Sequence, residues 1–273
     1  MQGQGLQKRF EAANVIVREA GALVRKLLAG RVAGTFKLKG NQDYFTEADG
    51  EVERLIAKRL SEAFPGDKFL GEEEGGTYGE RTWVVDPIDG TANFARGIPH
   101  YSISMGYIEE GRPAIGVVYN PAVDELFAAR QGGGAFLNGR PIRVSAIDDL
   151  RSATVELGWS TRRPMTDYVS MVGRVTATGA GFLRCGSGAL GMAYVAAGRI
   201  DGYAELHINA WDTLAGIVLV EEAGGWTNDF LANDGLHRGN PILGCTPALR
   251  NALVAATGIG VKDASRLGCP GAK

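Results

Sequence analysis

Three separated stretches gather acidic residues of a type and spacing suited to chemistry on a hard cation: Gly71-Glu72-Glu73-Glu74-Gly75, Asp86-Pro87-Ile88-Asp89-Gly90-Thr91, and Trp211-Asp212. Asp86 and Asp89 follow the apolar run Trp83-Val84-Val85, which places them at the carboxyl end of a strand, where open α/β sheets hold ligands. Pro87 between them lacks an amide donor and stiffens the turn. Two such carboxylates can converge, but each disfavours the other's ionisation unless a positive charge lies between them. Oxygen donors with few histidines select magnesium, and the three histidines have no zinc-type spacing. Alone, Asp86 to Asp89 also reads as an Asx turn, and Glu72 to Glu74 as a solvated acidic loop. Their joint occurrence favours a site.

The elements that must position these side chains are helices at the start, a sheet in the middle and a mixed region at the end. Leu6, Phe10, Ala13, Val17, Ala20, Val24 and Leu27 recur in steps of four and three, which predicts a long helix stopped by Gly30. Thr46 and Asp49 have capping-box spacing ahead of Val52, Leu55, Ile56, Leu60 and Ala63, so a second helix follows Thr46 and ends at Pro65-Gly66. Between about 68 and 145, short apolar runs predict a sheet: Phe69-Leu70, Trp83 to Val85, Ile103 to Ile108, Ile115 to Tyr119 and Leu126 to Ala129. Asn138-Gly139, flanked by Gly134 to Leu137 and Pro141 to Val144, supplies the two positive backbone angles of a tight hairpin. After about 150, strands and helices alternate: Thr154 to Leu157, a helix near 166 to 175, a helix from Ser187 to Ala197, a strand from Ile200 to Glu205 and a helix from Trp211 to Ala223 capped by Gly224-Gly225. A strand from Ile242 to Cys245, a short helix from Pro247 and a Gly-rich tail expected to be mobile close the chain.

At 273 residues the chain can bury one large core or two fused subdomains, so folding needs no disulfide or structural metal. With 45% hydrophobic and 22% charged residues, neither disorder nor a fibrous repeat is indicated. A net charge of −2 provides no global field for nucleic acid or an anionic membrane, so any anion-binding surface must be local. Cys185, Cys245 and Cys269 are odd in number and scattered, which argues against a disulfide framework or a zinc cluster and points to a reducing cytoplasm. No stretch approaches the roughly 20 apolar residues that cross a bilayer, so neither export nor anchoring is expected.

DPIDGTANFARGIP at 86–99 and WDTLAGIVLVEEAGG at 211–225 closely resemble the two signature motifs of the inositol monophosphatase family. GEEEGG at 71–76, KGNQDYFTEAD at 39–49 and GAFLNGRPIRVS at 134–145 extend the likeness over most of residues 39 to 225. The resemblance implies a layered α-β-α-β-α sandwich of the sugar phosphatase type, an α/β (α+β) fold. Residues 1–150 would form an amino-terminal α+β subdomain with a large antiparallel sheet and most metal ligands. Residues 151–273 would form an α/β subdomain that completes the site.

The resemblance also implies magnesium, two or three ions per site, held by Glu72, Asp86, the Ile88 carbonyl, Asp89 and Asp212. Asp86 would bridge two ions, with Glu72 and Ile88 on one and Asp89 and Asp212 on the other; a third, weaker ion is expected near Glu72. Paired cations of this kind lower the pKa of a bound water and stabilise a leaving alkoxide without a covalent phosphoenzyme. Glu72, Asp49 and Thr91 take the catalytic roles: Asp49 accepts from the Thr91 hydroxyl, which orients the attacking water. The rival role for Asp49 is to cap its helix, and a carboxylate at a helix amino end can do both. The amides of Gly90 and Thr91 would meet the phosphate. Ala92 departs from the commoner family pattern of a second threonine, a harmless change if only its amide is used.

Gly186, Ser187, Gly188, Glu205 and Asp212 fall where the family binds substrate. Asn93 could donate to a substrate oxygen or hold the turn by bonding backbone. Glu205 could accept from polyol hydroxyls or be an exposed acid at a strand end. Lys39 matches a basic residue near the family's third metal or phosphate, or is simply solvated. Trp83 and Trp211 read as core packing beside the site. The activity implied is hydrolysis of a small phosphorylated polyol, inositol monophosphate first, with lithium sensitivity and a homodimer. The metal motifs do not separate this from phosphatases of histidinol phosphate, fructose bisphosphate or adenosine bisphosphate. A reading of another class is a regulatory RNA-processing partner that retains the fold.

Overall fold

The apolar stripe of the first segment forms α1 (Gln2–Ala29), followed by β1 (Lys37–Gly40), β2 (Asp43–Phe45) and α2 (Glu47–Ala63). The middle of the chain supplies β3 (Lys68–Gly71), β4 (Arg81–Asp89), α3 (Thr91–Arg96), β5 (Ser102–Glu109), β6 (Arg112–Asn120), β7 (Glu125–Arg130), β8 (Gly134–Leu137) and β9 (Arg140–Pro141). The remainder supplies β10 (Thr154–Leu157), α4 (Met165–Ala177), β11 (Gly181–Leu183), α5 (Gly188–Ala196), β12 (Gly202–Ile208), α6 (Ala210–Glu222), β13 (Trp226–Thr227), α7 (Gly235–Arg238), β14 (Asn240–Cys245) and α8 (Arg250–Thr257). The structure is a computed structural model and describes residues 2–29, 37–40, 43–45 and 47–260. The expected helix stop at Gly30, the Thr46 cap and the mobile tail lie outside those residues.

Strands β3 to β9 form a seven-stranded sheet in sequence order, antiparallel except for the parallel pair β3 and β4. Helices α1 and α2 cover one face, burying Ala13, Val17, Ala20, Val24, Val52 and Ile56 against Trp83, Val85, Met105 and Val117. The other face packs on α5 and α6, whose high apolar content reflects burial on both sides: Leu190, Met192, Leu214 and Leu219 are inaccessible to solvent. Beyond these helices lies a five-stranded sheet of order β11-β10-β12-β14-β13, with α4 and α8 packed on its outer side through Met171, Val175 and Leu253. The layers therefore run α-β-α-β-α, the architecture the motifs imply. In the β8–β9 hairpin Leu137 pairs with Arg140 across Asn138 and Gly139, at φ 49° and 77°. A two-residue loop needs those angles to match the twist of its strands.

Three features differ from the reading of the sequence. Strand β4 does not stop at Val85; it runs through Asp86-Pro87-Ile88-Asp89, with a bulge where Asp86 pairs Ser104 and Asp89 pairs Ser102. A bulge accommodates Pro87 because the extra residue leaves the hydrogen-bonded ladder. Strand β11 carries too little burial to announce itself, all three residues being exposed. The short β13 and α7 follow no periodicity long enough to read.

Candidate active site

Glu72 comes directly after β3, on a loop held from behind by α2. Glu53, only 1% exposed, accepts from the amides of Glu73 at 2.9 Å and Glu74 at 2.7 Å, which fixes the loop carrying Glu72. The approach is so close that a Cβ on Gly71 would lie 2.3 Å from the Glu53 carboxyl carbon and would push that carboxylate off the two amides. Asp86 comes from the bulged end of β4, its Oδ1 accepting from the Ile88 amide at 2.8 Å. Asp212 lies in the first turn of α6, where the Asn209 amide donates to its Oδ2 at 3.2 Å, and Ser104 Oγ ties the turn to β5 by donating to the Trp211 carbonyl at 2.8 Å.

These three segments bring one oxygen each of Glu72, Asp86 and Asp212 within 4.8 Å of one another. Burial, and then the charge of Asp212, pushes the Glu72 carboxyl well above the usual carboxylate range. Asp86 is raised in the same way by burial and then by Glu72 and Asp212. Burial also raises Asp212. The principal charges acting on Glu72 and Asp86 are those of other carboxylates, while Arg162 acts on Asp212. The donors of the cluster are all oxygens, and a hard divalent cation fits such a set.

Asp89 stands beside this group but faces elsewhere. Its carboxylate accepts from Ser187 Oγ, from the Ala189 amide at 2.8 Å and from the Gly188 amide at 3.2 Å, at the amino end of α5. The free amides and dipole of that helix end attract a carboxylate. Burial and Asp212 nevertheless raise Asp89 to about 7 against the pull of these donors. Ser187 is the cap of α5, its Oγ accepting from the Leu190 amide at 3.3 Å, and Gly188 is the first residue of that helix. Gly186 precedes the cap at φ 87°.

Thr91 Oγ1 lies 2.9 Å from the Ile88 carbonyl and 3.3 Å from Asp49 Oδ1. One hydroxyl proton cannot serve both acceptors at once. Asp49 is 1% exposed in the first turn of α2 and shares its buried stripe with Glu53. Gly90 caps α3 in a left-handed conformation, φ 92°. Asn93 Nδ2 donates to the carbonyls of His100 at 2.7 Å and Cys185 at 2.9 Å, so its amide holds two chain segments together. The side chain of Lys39, in β1, lies outside the described residues.

Glu205 is not an exposed strand-end acid: it lies inside β12, 8% exposed, because both faces of that strand are covered. Tyr203 donates to it at 2.6 Å, yet burial pushes it up to about 8. It lines a cavity of about 150 Å³ together with Asp89, Ser187 and Asp212. Arg184, Glu156 and Tyr203 line the same cavity and were not singled out from the sequence. Glu53 was missed too, although a charged residue in the helical stripe of Asp49, Val52 and Ile56 was a signal available to reading. Trp83 is core, 1% exposed, and Trp211 is half-buried at the start of α6. Among the described residues no helix is long and apolar enough to cross a membrane.

A sequence profile of the inositol monophosphatase family matches residues 6–259. The chain is 42% identical over 229 residues to an inositol-1-monophosphatase of Rhizobium meliloti, covering 82% of this chain and 83% of that one. It is 37% identical over 243 residues to the Nus factor SuhB of Escherichia coli K12, covering 87% and 91%. Among solved structures, the extragenic suppressor protein suhB from Bartonella henselae matches with a TM-score of 0.84 at 36% identity, covering 92% of this chain and 98% of that one. A profile match across nearly the whole chain, relatives above 30% identity and a shared layered architecture place this chain in the inositol monophosphatase family.

Proposed function

We propose that the chain is a magnesium-dependent phosphatase that hydrolyses the monoester of a small polyol, with inositol monophosphate as the leading substrate. The observation that carries this reading is the convergence of Glu72, Asp86 and Asp212 from three distant segments, with other carboxylates as the principal charges acting on Glu72 and Asp86. These three, with the Ile88 carbonyl and Asp89, would hold magnesium, which when bound neutralises phosphate oxygens and acidifies a water. Asp49 and Thr91 orient that water: once the Ile88 carbonyl is engaged elsewhere, the Thr91 proton turns to Asp49 and its oxygen is left to accept from the water. Gly90 and Thr91 offer amides at the start of α3, where the first helical donors have no partner inside the helix. Gly186, Ser187 and Gly188 shape the rim, and Glu205 with Asp212 receives substrate hydroxyls in the cavity they line. Lys39 is left with a supporting role near the phosphate. Substrate preference within this class, including histidinol phosphate, is tested by parallel phosphate-release assays with and without magnesium. Release from none of the substrates, or undiminished release in excess chelator, would sink the reading.

A second role has one observation in its favour, the 37% identity with a Nus factor. Such a role would rest on the outer surface and survive Asp86→Asn, whereas phosphate release would not. A pull-down from transcription extract with that variant separates the two, and loss of capture with the ligand mutation would argue against a separate binding role.

A further inference from the structure

His100, Glu156 and Cys185 are far apart in sequence and play no part in the proposed hydrolysis. His100 lies between α3 and β5, Glu156 inside β10, and Cys185 between β11 and α5. One potential ligand atom from each, a ring nitrogen, a carboxylate oxygen and the sulfur, lies within 4.8 Å of the other two. Glu156 is 2% exposed, and its Oε2 has no hydrogen-bond partner. The buried Nε2 of His100 is also without a partner. A buried polar atom left unpaired costs about 1–3 kcal/mol, so two of them converging beside a thiol call for an occupant. The scaffold around them is built: Asn93 clamps the backbones of His100 and Cys185 through its amide, and Glu156 Oε1 accepts from the Cys185 amide at 3.1 Å. The His100 ring is set edge-on to Tyr194, with centroids 5.8 Å apart.

We propose that His100, Glu156 and Cys185 form a second cation site, distinct from the carboxylate cluster, that takes a borderline transition metal of the zinc type. Nitrogen, oxygen and sulfur donors together select such an ion over magnesium, which prefers oxygen alone. Bond lengths of about 2.0–2.3 Å put tetrahedral donors roughly 3.5 Å apart, so atoms that already lie within 4.8 Å of one another need to close by roughly 1 Å at most. Three protein ligands leave a fourth position for water, and the cavity that Glu156 lines offers an entry path. Binding replaces the thiol proton of Cys185, and any proton on Glu156, with the metal ion; the protons leave to solvent. Arg184 lines the same cavity, but its side chain is exposed and its charge is screened by water. No spacing along the chain announces this site, because His100 and Cys185 come from two separate connections and Glu156 from the strand β10.

The test is titration of the full-length, reduced protein with Co2+ alone as probe, in excess magnesium to occupy the carboxylate cluster. The expected result is one equivalent of bound Co2+ with a thiolate-to-cobalt charge-transfer band that Cys185→Ser abolishes and Cys245→Ser retains. His100→Gln and Glu156→Gln are expected to weaken Co2+ binding by at least the ~10–100-fold that loss of a supporting residue costs. Absence of the band in the wild-type protein overturns the proposal without reference to any variant's folding. So does a band that survives Cys185→Ser, or one whose affinity neither His100→Gln nor Glu156→Gln changes. A Cys185 thiol that merely donates to Glu156 gives the first of these negative results.

Discussion

Glu205→Gln separates the electrostatics of the cavity from its packing. In the metal-free protein burial lifts the Glu205 carboxyl from 4.5 to about 8, although the Tyr203 hydroxyl pulls it the other way. The unfolded chain releases this proton near 4.5 while the folded chain keeps it to about 8. Between those values the folded state binds the extra proton, so stability falls as pH rises. The contribution is fully present below the unfolded value and is lost as pH passes the folded one. Each pH unit inside the window is worth about 1.4 kcal/mol, so the wild-type protein loses about 2 kcal/mol from this carboxyl between about pH 6 and about pH 8. Glutamine has the shape of the protonated acid and can accept from Tyr203, but it does not titrate. Guanidinium unfolding in chelator should therefore find the two proteins within about 1 kcal/mol near pH 6, with the variant gaining about 2 kcal/mol on the wild type by pH 8. Glu156, raised to about 7, titrates in both proteins, whereas Asp89, also raised to about 7, acts on Glu205, so its titration contributes a smaller share of the difference. Equal pH slopes for the two proteins would refute the reasoning, because Glu205 would then be ionised inside the fold.

Asp86→Asn removes the central carboxylate of the cluster, and phosphate release should drop at least ~10³-fold, the rate equivalent of several kcal/mol of lost charge stabilisation. Calorimetric magnesium titration should show weakened binding in the same variant; retention of both activity and affinity would place the cation elsewhere. Glu53→Ala strips two acceptors from the amides of Glu73 and Glu74, and a loss of about 3 kcal/mol in unfolding free energy, with faster hydrogen exchange at those two amides, is expected. Thr91→Val keeps the shape and removes the hydroxyl, so kcat should fall by about 10²-fold or more while Thr91→Ser largely restores it; equal activity of the valine variant would exclude the Asp49–Thr91 relay.

Much of the fold was legible because its long elements carry repeated local signals. The stripe from Leu6 to Leu27 became α1, the run from Val52 to Leu60 became the buried face of α2, and Asn138-Gly139 turned the predicted hairpin. Short or two-sided elements were less legible. Strand β11 is exposed throughout, and Asp86 to Asp89 looked like a turn because Pro87 breaks the strand pattern that its bulge tolerates. Glu205 could be read as an exposed acid because nothing in its neighbours along the chain reveals that β12 is covered on both faces.

The sequence by itself determined the family, whose motifs are residue types and spacings within continuous stretches, and through that resemblance the layered class. Only the tertiary structure decided that Glu72, Asp86 and Asp212 share one locus while Asp89 turns to the amino end of α5. It also decided that Glu53 holds the Glu72 loop, that Asn93 bonds backbone, and that His100, Glu156 and Cys185 meet. The physical reason is that spacing along the chain sets local geometry, whereas convergence of side chains tens of residues apart is set by how sheets and helices stack. That stacking depends on the summed burial of many apolar residues, none of which belongs to the site.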